Sequence, residues 1–555
     1  MKRKKSSSRK IFLILMAIGV FVGTWGFVKE PVQAAGRPVA IQSCVIAGDQ
    51  VVCEVKASAV PANEDGLYYI YANEVNQDGP IGNMVATVET GTKVTVSFPL
   101  AYNTSVSNLS RKFLVAVKQG GQMVQVSDEH YITNPEVMAA FTTTPIPAGI
   151  KGILPSADFT NGELQELGIQ QVVHNLPLEH IVSAAGAPGA VLFTYNCQNY
   201  YFDSARLKAY DETIKYFNHQ GIKVTMVILN GSGGEYSKHL IHPDSIGGEC
   251  PGYALNVADD MAVNHLKAIA AFLGQRYSGA LGYGQVDNWI LGNEVNARTS
   301  WWYTNSDSLD FNVGIYAKAF RIFYNELKGM NANVMLYNSI DQEWNRKSNP
   351  GSFLAKDYLD RFNYYMLREG NIDWGLSFHP YNSPLYDPYA WNGPSVWVHN
   401  SITTPYITMQ NLDILINYMH QPEFLRPNGE VRSISLAEIG FTSSFGTEAQ
   451  EASVAYGYLK ARSLPDVDAF MLFRMEDDAH EMQSYLALGL KDGYGNKKPA
   501  FEIYKNLGTG NEAAVKERVS SIIGMDIDEM INQKIIWTRA DSGVVEMPTQ
   551  TEGME

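Results

Sequence analysis

Cysteine is scarce in this chain. The four present, Cys44, Cys53, Cys197 and Cys250, form no CxxC pair and no Cys/His spacing of the zinc-binding kind. Phosphate-binding loops and the GxSxG elbow of serine hydrolases are absent, and no apolar strand leads into a GxGxxG-like turn, so nucleotide-fold and α/β-hydrolase chemistry have no foothold. Ala479-His480-Glu481-Met482 resembles the opening of a zinc-protease helix but lacks the second histidine, and His239 and His242 show no clear partner. Beyond the N-terminus no segment is long and apolar enough to span a bilayer. Positive charge is also short, with 43 Lys and Arg against 58 Asp and Glu.

What is present first is an export pattern. Met1-Lys2-Arg3-Lys4-Lys5 gives a charged start, residues 11–22 an apolar stretch, and Val32-Gln33-Ala34 a small-residue cleavage site. The expectation is a signal peptide over residues 1–34 and a secreted or cell-surface protein. A membrane is a partner only if that segment stays uncleaved, as an anchor, because apolar character persists with breaks to Val28. Removing residues 1–34 leaves 36 basic against 57 acidic residues, a surface that repels nucleic acid and anionic lipid and suits a neutral or cationic ligand. In an exported chain four cysteines allow up to two disulfides, and Cys44 and Cys53 flank a turn signal at Gly48-Asp49. Connectivity stays open, and buried free thiols are the alternative.

The body of the chain has two rhythms. Residues 37–135 carry short strand-like runs, 44–46, 51–55, 67–71, 94–98 and 113–117, with turn signals such as Gly48-Asp49, Asp78-Gly79-Pro80 and Gly120-Gly121 between or after them. This spacing predicts a small antiparallel β-sandwich, immunoglobulin-like in size. Tyr68, Tyr69 and Tyr71 are either a carbohydrate face or packing within a spacer. After a Pro- and Thr-rich linker the pattern alternates strand and amphipathic helix over residues 148–508. Strands fall at 149–153, 170–173, 223–229, 286–291, 334–337, 374–378, 433–437 and 469–473, and eight helices alternate with them. Eight such units predict an α/β fold of the (β/α)8 TIM-barrel kind with enlarged loops, against the competing open doubly wound sheet. Residues 509–555 form a C-terminal extension that begins helically.

In such a barrel the C-terminal strand ends line the active site, so the residues just past each apolar run are the candidates. They are Asn175, Asn230, Asn293 with Glu294, Asn338 with Asp341, His379 with Tyr381, Glu438, and Arg474 with Glu476. Two stand out in form. Trp289-Ile290-Leu291 runs into Gly292-Asn293-Glu294, and Ile434-Ser435-Leu436-Ala437 runs into Glu438, so a carboxylate appears where each buried strand ends. Trp301-Trp302-Tyr303 follows the first and offers either a stacking platform for sugar rings or a packed loop cluster.

The order Asn293-Glu294 after strand four, His379-Pro380-Tyr381 after strand six and Glu438 after strand seven resembles the clan A retaining glycoside hydrolases, over residues 150–507. The close Gly489-Leu490-Lys491-Asp492-Gly493 through Lys498-Pro499-Ala500-Phe501 is similar to the last loop and helix of several such enzymes. The resemblance implies that Glu294 is the general acid/base and Glu438 the nucleophile. It also implies that Asn293 binds the hydroxyl beside the reacting carbon, Tyr381 holds Glu438 ionised, and His379 binds substrate or supports that pair. Two departures bear on sugar recognition. Phe473-Arg474 stands where many members have a tryptophan, and His174-Asn175 where the clan often has an arginine.

Retaining hydrolysis needs one protonated and one ionised carboxyl group roughly 5 to 5.5 Å apart. The neighbours must split their pKa values. The expectation is therefore a cofactor-free, metal-free glycosidase acting on a neutral oligo- or polysaccharide. Substrate contacts are expected from Asn293, His379, Tyr381, Asn175, Trp302 and Arg474, the last clamping an acidic sugar or pairing with Glu476 or Asp477. The alternatives are a non-catalytic carbohydrate-binding protein on the same scaffold, and an inverting hydrolase using Glu476 or Asp341.

Overall fold

The computed structural model describes residues 37–532; the export segment expected at 1–34 and the end of the C-terminal extension lie outside the described residues. The described residues from 38 onward belong to one compact unit. It begins with eight strands: β1 (Val39–Ala47), β2 (Gln50–Ala57), β3 (Leu67–Asn73), β4 (Asn83–Glu89), β5 (Lys93–Pro99), β6 (Lys112–Gln119), β7 (Gln122–Gln125) and the short β8 (His130–Tyr131). One sheet has the order β1-β2-β5 and the other β4-β3-β6-β7, with β8 also on β6. Alternate residues such as Val51, Cys53 and Val55 from the first sheet and Tyr68, Ile70, Phe113 and Val115 from the second fill the space between them. Tyr68 is part of that core, so of the three tyrosines it serves packing, while Tyr69 bonds Asp65 on the outer face. Cys44 and Cys53 are cross-strand partners with their Sγ atoms 3.3 Å apart, both as buried thiols.

The barrel strands are β9 (Lys151–Ile153), β10 (Gln171–Pro177), β13 (Lys223–Leu229), β14 (Asn288–Leu291), β15 (Met335–Asp341), β16 (Gly375–His379), β17 (Ile434–Ile439) and β18 (Val467–Leu472). They pair in parallel in that order and β18 closes on β9, so the doubly wound alternative is excluded. An antiparallel hairpin, β11 (Val191–Tyr195) with β12 (Gln198–Phe202), is inserted after β10. The helices, in chain order, are α1 (Glu163–Glu166), α2 (Leu178–Ile181), α3 (Ser204–His219), α4 (Asp260–Arg276), α5 (Leu309–Met330), α6 (Ala355–Arg368), α7 (Asp413–Met419), α8 (Thr447–Arg462), α9 (Pro499–Asn506), α10 (Glu512–Ile523) and α11 (Ile527–Asn532). Among these, α3, α4 and α5 start on Asp203, Asp259 and Ser308, whose side chains accept from the first-turn amides. The first part of the C-terminal extension is a helical pair, α10 and α11, laid against α8, with Arg518 bridging to Glu448 and Glu451.

The barrel interior is a packed plug of Val173, Val227, Ile290, Tyr337, Ala437, Ala469 and Met471. Strand periodicity then sends every second residue toward the axis, so the next inward positions, at the C-terminal ends, open on solvent and carry the chemistry. The sandwich docks on the outside, along α5. Ser110 Oγ donates to Glu326 at 2.7 Å, Asn325 Nδ2 donates to the Leu109 carbonyl at 2.8 Å, and Gly329 lets Leu109 approach closely.

Candidate active site

β14 supplies the first carboxylate through a sharp turn. Gly292 has φ +77°, and a Cβ there would lie 2.8 Å from Val295 and 3.2 Å from the Trp302 ring, so both backbone and packing require glycine. Glu294 itself has φ +39°, an unusual conformation for a side-chain-bearing residue of the kind that clusters at functional sites. The neighbouring strand holds it there. Ser339 of β15 accepts from the Glu294 amide through Oγ at 3.1 Å and from the Val295 amide through its carbonyl at 2.9 Å.

β17 supplies the second carboxylate through a bulge. Leu436 faces Phe470 and Ile439 faces Leu472, so β17 spends one more residue than β18 over the same rise. Ala437 belongs to the interior plug, and simple alternation would turn Glu438 outward. The extra residue instead re-aims Glu438 into the cavity above the plug.

β16 joins the two. His379 Nδ1 lies 2.9 Å from Glu294 Oε1 and 3.9 Å from Glu438 Oε2, so one imidazole nitrogen reaches both carboxyl groups. Tyr381, two residues on, donates its hydroxyl to Glu438 Oε1 at 2.8 Å. Glu294, Glu438 and Tyr381 edge a cavity of about 330 Å³ whose walls include Trp301, Asp341, Gln342, Glu343, Leu385, Phe473, Glu481 and Leu488, while His379 is buried behind the pair and is not among the lining residues.

The surroundings treat the two carboxyls differently. Burial, reinforced by the nearby Glu343, pushes Glu294 up to about 7, and the only opposing contact is from Trp301. Burial and the charge of Glu294 also raise Glu438, but His379 and the Tyr381 hydroxyl pull it back. Burial lowers the pKa of His379, against the pull of Glu438. At neutral pH the arrangement favours the proton on Glu294 and the anion on Glu438.

The model of a family of unknown function, DUF5722, matches residues 143–530, which span every barrel strand and all of these side chains. The chain belongs to that family. No curated protein matches this DUF5722 member. Among solved structures it is similar to a family 39 glycoside hydrolase from Bacteroides cellulosilyticus, at 15% identity over 81% of this chain and 79% of the other, with a TM-score of 0.41. It is also similar to a glucosidase from Croceicoccus marinus, at 12% identity over 66% and 67% with a TM-score of 0.39. A fungal β-1,4-galactanase is a third, at 13% identity over 65% of this chain and 100% of the other, with a TM-score of 0.40.

In the DUF5722 member the remaining predicted contacts are distributed unevenly. Trp302 is not a sugar platform, because it is 2% exposed and its ring is spent edge-on against Tyr316 at 5.0 Å. Its neighbour Trp301 lines the cavity instead. Arg474 pairs with neither Glu476 nor Asp477. Its guanidinium donates to Glu481 at 3.1 Å and lies 3.6 Å from Asp478, and it is outside the cavity lining, so its charge is already used. Asn293 is partly buried but is not among the lining residues, and neither is Asn175, which is exposed on β10 two positions beyond inward-facing Val173. Asn230 is bound to its own loop, donating to the carbonyls of Leu240 and Tyr253. Glu476 sits by Lys491 and Asp477 is tied to Lys498 and the Gly489 amide, so neither replaces Glu438.

Sequence reasoning passed over Gln342 and Glu343 and met Glu481 only in the zinc-protease look-alike. The apolar run of the fifth strand was read as ending at Tyr337, whereas β15 continues to Asp341 and sets Gln342 and Glu343 just past its end. Among the described residues no group of three or more His, Cys, Asp or Glu side chains is arranged to hold a metal ion, and no helix is long and apolar enough to cross a membrane.

Proposed function

We propose that this protein is an exported glycoside hydrolase that cleaves an oligo- or polysaccharide with retention of anomeric configuration, Glu294 acting as acid/base and Glu438 as nucleophile. One observation carries the reading. Two carboxyls from different strands share the His379 imidazole beside one cavity, and only Glu438 also receives a tyrosine hydroxyl. Since a single nitrogen lies 2.9 Å from one carboxyl oxygen and 3.9 Å from the other, the pair is compatible with the spacing of about 5 to 5.5 Å of a double displacement. Among the described residues neither Glu294 nor Glu438 is in an ion pair with Lys or Arg, which favours an enzyme over a binding protein with a blocked pair. Export rests on the N-terminal sequence pattern.

The steps follow from the proton positions. Glu438 attacks the anomeric carbon while Glu294 gives its proton to the departing glycosidic oxygen, leaving a glycosyl ester on Glu438 and an anionic Glu294. Formation of the ester removes the charge from Glu438, so Glu294 loses a repelling neighbour at the moment it must hold its own charge. Water then attacks the same carbon, Glu294 takes its proton, and Glu438 leaves as carboxylate. Tyr381 stays on the Glu438 oxygen that does not form the bond and steadies the returning charge.

The test is a polysaccharide and aryl-glycoside panel with the product anomer followed by NMR. Retention in the wild type, recovery of glycosylation in Glu294→Gln with an activated aryl leaving group, and azide rescue of Glu438→Ala to an inverted product are expected. Inversion by the wild type, or full activity of Glu438→Ala, overturns the assignment.

A further inference from the structure

The cavity holds more negative charge than the proposed reaction uses. Glu294, Asp341, Glu343, Glu438 and Glu481 all line it, and none of its lining residues is Lys or Arg. Three basic groups on the loops that follow β15 and β18 are already committed. Arg474 is held by Glu481 and Asp478, Arg346 lies 3.8 Å over the Trp397 ring, and Lys347 donates to the Ser352 carbonyl at 2.8 Å. At the sandwich contact Glu74 has Arg111 and Lys267 beside it; here three consecutive residues, Asp341, Gln342 and Glu343, bring polar ends to the wall with no such cation among the described residues.

Their positions are built and their hydrogen-bonding capacity is left over. Asn296 fixes Asp341 twice, donating from Nδ2 to Oδ1 at 2.7 Å and accepting from the Asp341 amide at 3.0 Å, while the Glu343 amide also donates to Oδ1. Oδ2 has no hydrogen-bond donor among the described residues. Glu343 is 7% exposed and accepts from the Ser348 amide through Oε1, and Oε2 has no donor among the described residues. Gln342, 8% exposed, lines the same wall and its side-chain amide has no partner among the described residues. An amide and two half-used carboxylates, on residues that are themselves largely buried, thus open side by side on the cavity with hydrogen-bonding capacity for a ligand. Two carboxylate oxygens and one amide oxygen match the three hydrogens of an ammonium group.

We infer that the cavity recognises a sugar bearing a protonated amine, held by Asp341, Gln342 and Glu343 beside the Glu294–Glu438 pair. This rests on the glycosidase reading of the same site and replaces the neutral sugar expected from sequence with a cationic amino sugar. Burial and the charges of Glu294 and Glu343 raise Asp341 well above its ordinary range, which favours a proton on Asp341 until a cation displaces it. An ammonium arriving there releases protons to solution, whereas a neutral hydroxyl or acetamide does not.

The experiment uses the full mature chain as Glu438→Gln, to stop turnover, with oligosaccharides of glucosamine and of galactosamine and their N-acetylated counterparts as probes. Calorimetry in two buffers of different ionisation enthalpy reads affinity and proton release together. The expected result is binding of an amine form at least tenfold tighter than its N-acetylated form, with proton release, and loss of that preference in Glu343→Gln and Asp341→Asn. Equal affinity for the two forms, binding of the N-acetylated form alone, or no binding of either overturns the inference. Hydrolysis by the wild type separates the two claims. Cleavage of neutral glycans with no amine preference leaves the glycosidase and removes the ammonium site. Amine-selective binding without cleavage by the wild type leaves the ammonium site and removes the glycosidase. Circular dichroism of each variant establishes that it is folded, and a second pair, Glu343→Ala and Asp341→Ser, replaces any that is not.

Discussion

Two regions of this protein bury acids, and they treat them in opposite ways. Where the sandwich meets the barrel, charges are paired: Glu74 lies between Arg111 and Lys267, and Lys112 between Asp78 and Glu129. At the barrel mouth Glu294, Asp341 and Glu343 lie together with no lysine or arginine among them. Burial works to raise Glu74, yet Lys267 and Arg111 hold it below the ordinary carboxylate range; the same burial leaves Glu294 at about 7 and Asp341 well above its ordinary value. The first arrangement joins surfaces. The second withholds compensation, and on the reading proposed above that leaves a proton to donate and a place for a cation to land.

The comparison is broken most forcefully at Glu438. Glu438→Gln is expected to lower kcat by about 10⁴-fold or more while leaving the melting temperature unchanged or higher, because it removes an uncompensated charge; steady-state kinetics beside calorimetry reads both. Glu74→Ala is expected to do the reverse. It strands Lys267 and Arg111 in the interface and costs about 3 to 5 kcal/mol in denaturant unfolding, with kcat per folded molecule retained. Trp302→Ala and Trp301→Ala divide in the same way. The first empties a buried site against Tyr316, at a cost of about 3 to 5 kcal/mol, and the second spares stability but raises KM.

Glu326 tests an intermediate case. It is buried in the interface with only Ser110 and Tyr195 as hydrogen-bond donors, and burial raises it to about 7. Because its pKa is higher folded than unfolded, its contribution is most favourable below about pH 4.5 and is lost as pH rises through 7. Glu326→Gln is therefore expected to gain stability relative to the wild type between pH 5 and pH 8, by up to about 3 kcal/mol in melting curves. The smallest effect belongs to Glu343→Gln. With one repelling charge removed, the alkaline limb of kcat/KM, set by Glu294 near 7, is expected to move down by less than about one pH unit.

Much of the barrel was legible because buried parallel strands leave short continuous apolar runs, and each of the eight runs is a strand of the closed sheet. The residues at the ends of strands four, six and seven were legible for the same reason. The hairpin β11–β12 was not, since its two-residue turn is Asn196-Cys197, both at positive φ, without the glycine that normally announces such a turn. β4 was hidden because its residues are exposed or half-buried, with no apolar alternation to read. Trp302 misled because two adjacent tryptophans look alike in sequence; Gly292 and Tyr316 decide which of them turns inward. The bulge in β17 has no sequence signature, and without it Glu438 would read as an outward residue.

The contact along α5 has a consequence for the bearing of the two domains. The helix that follows the Trp301 loop is the same one that grips Leu109 and Ser110, so the sandwich is an outrigger and not a lure on a line. Whatever surface it presents keeps a constant bearing to the cleft. Any ligand that touched both would have to span that set interval.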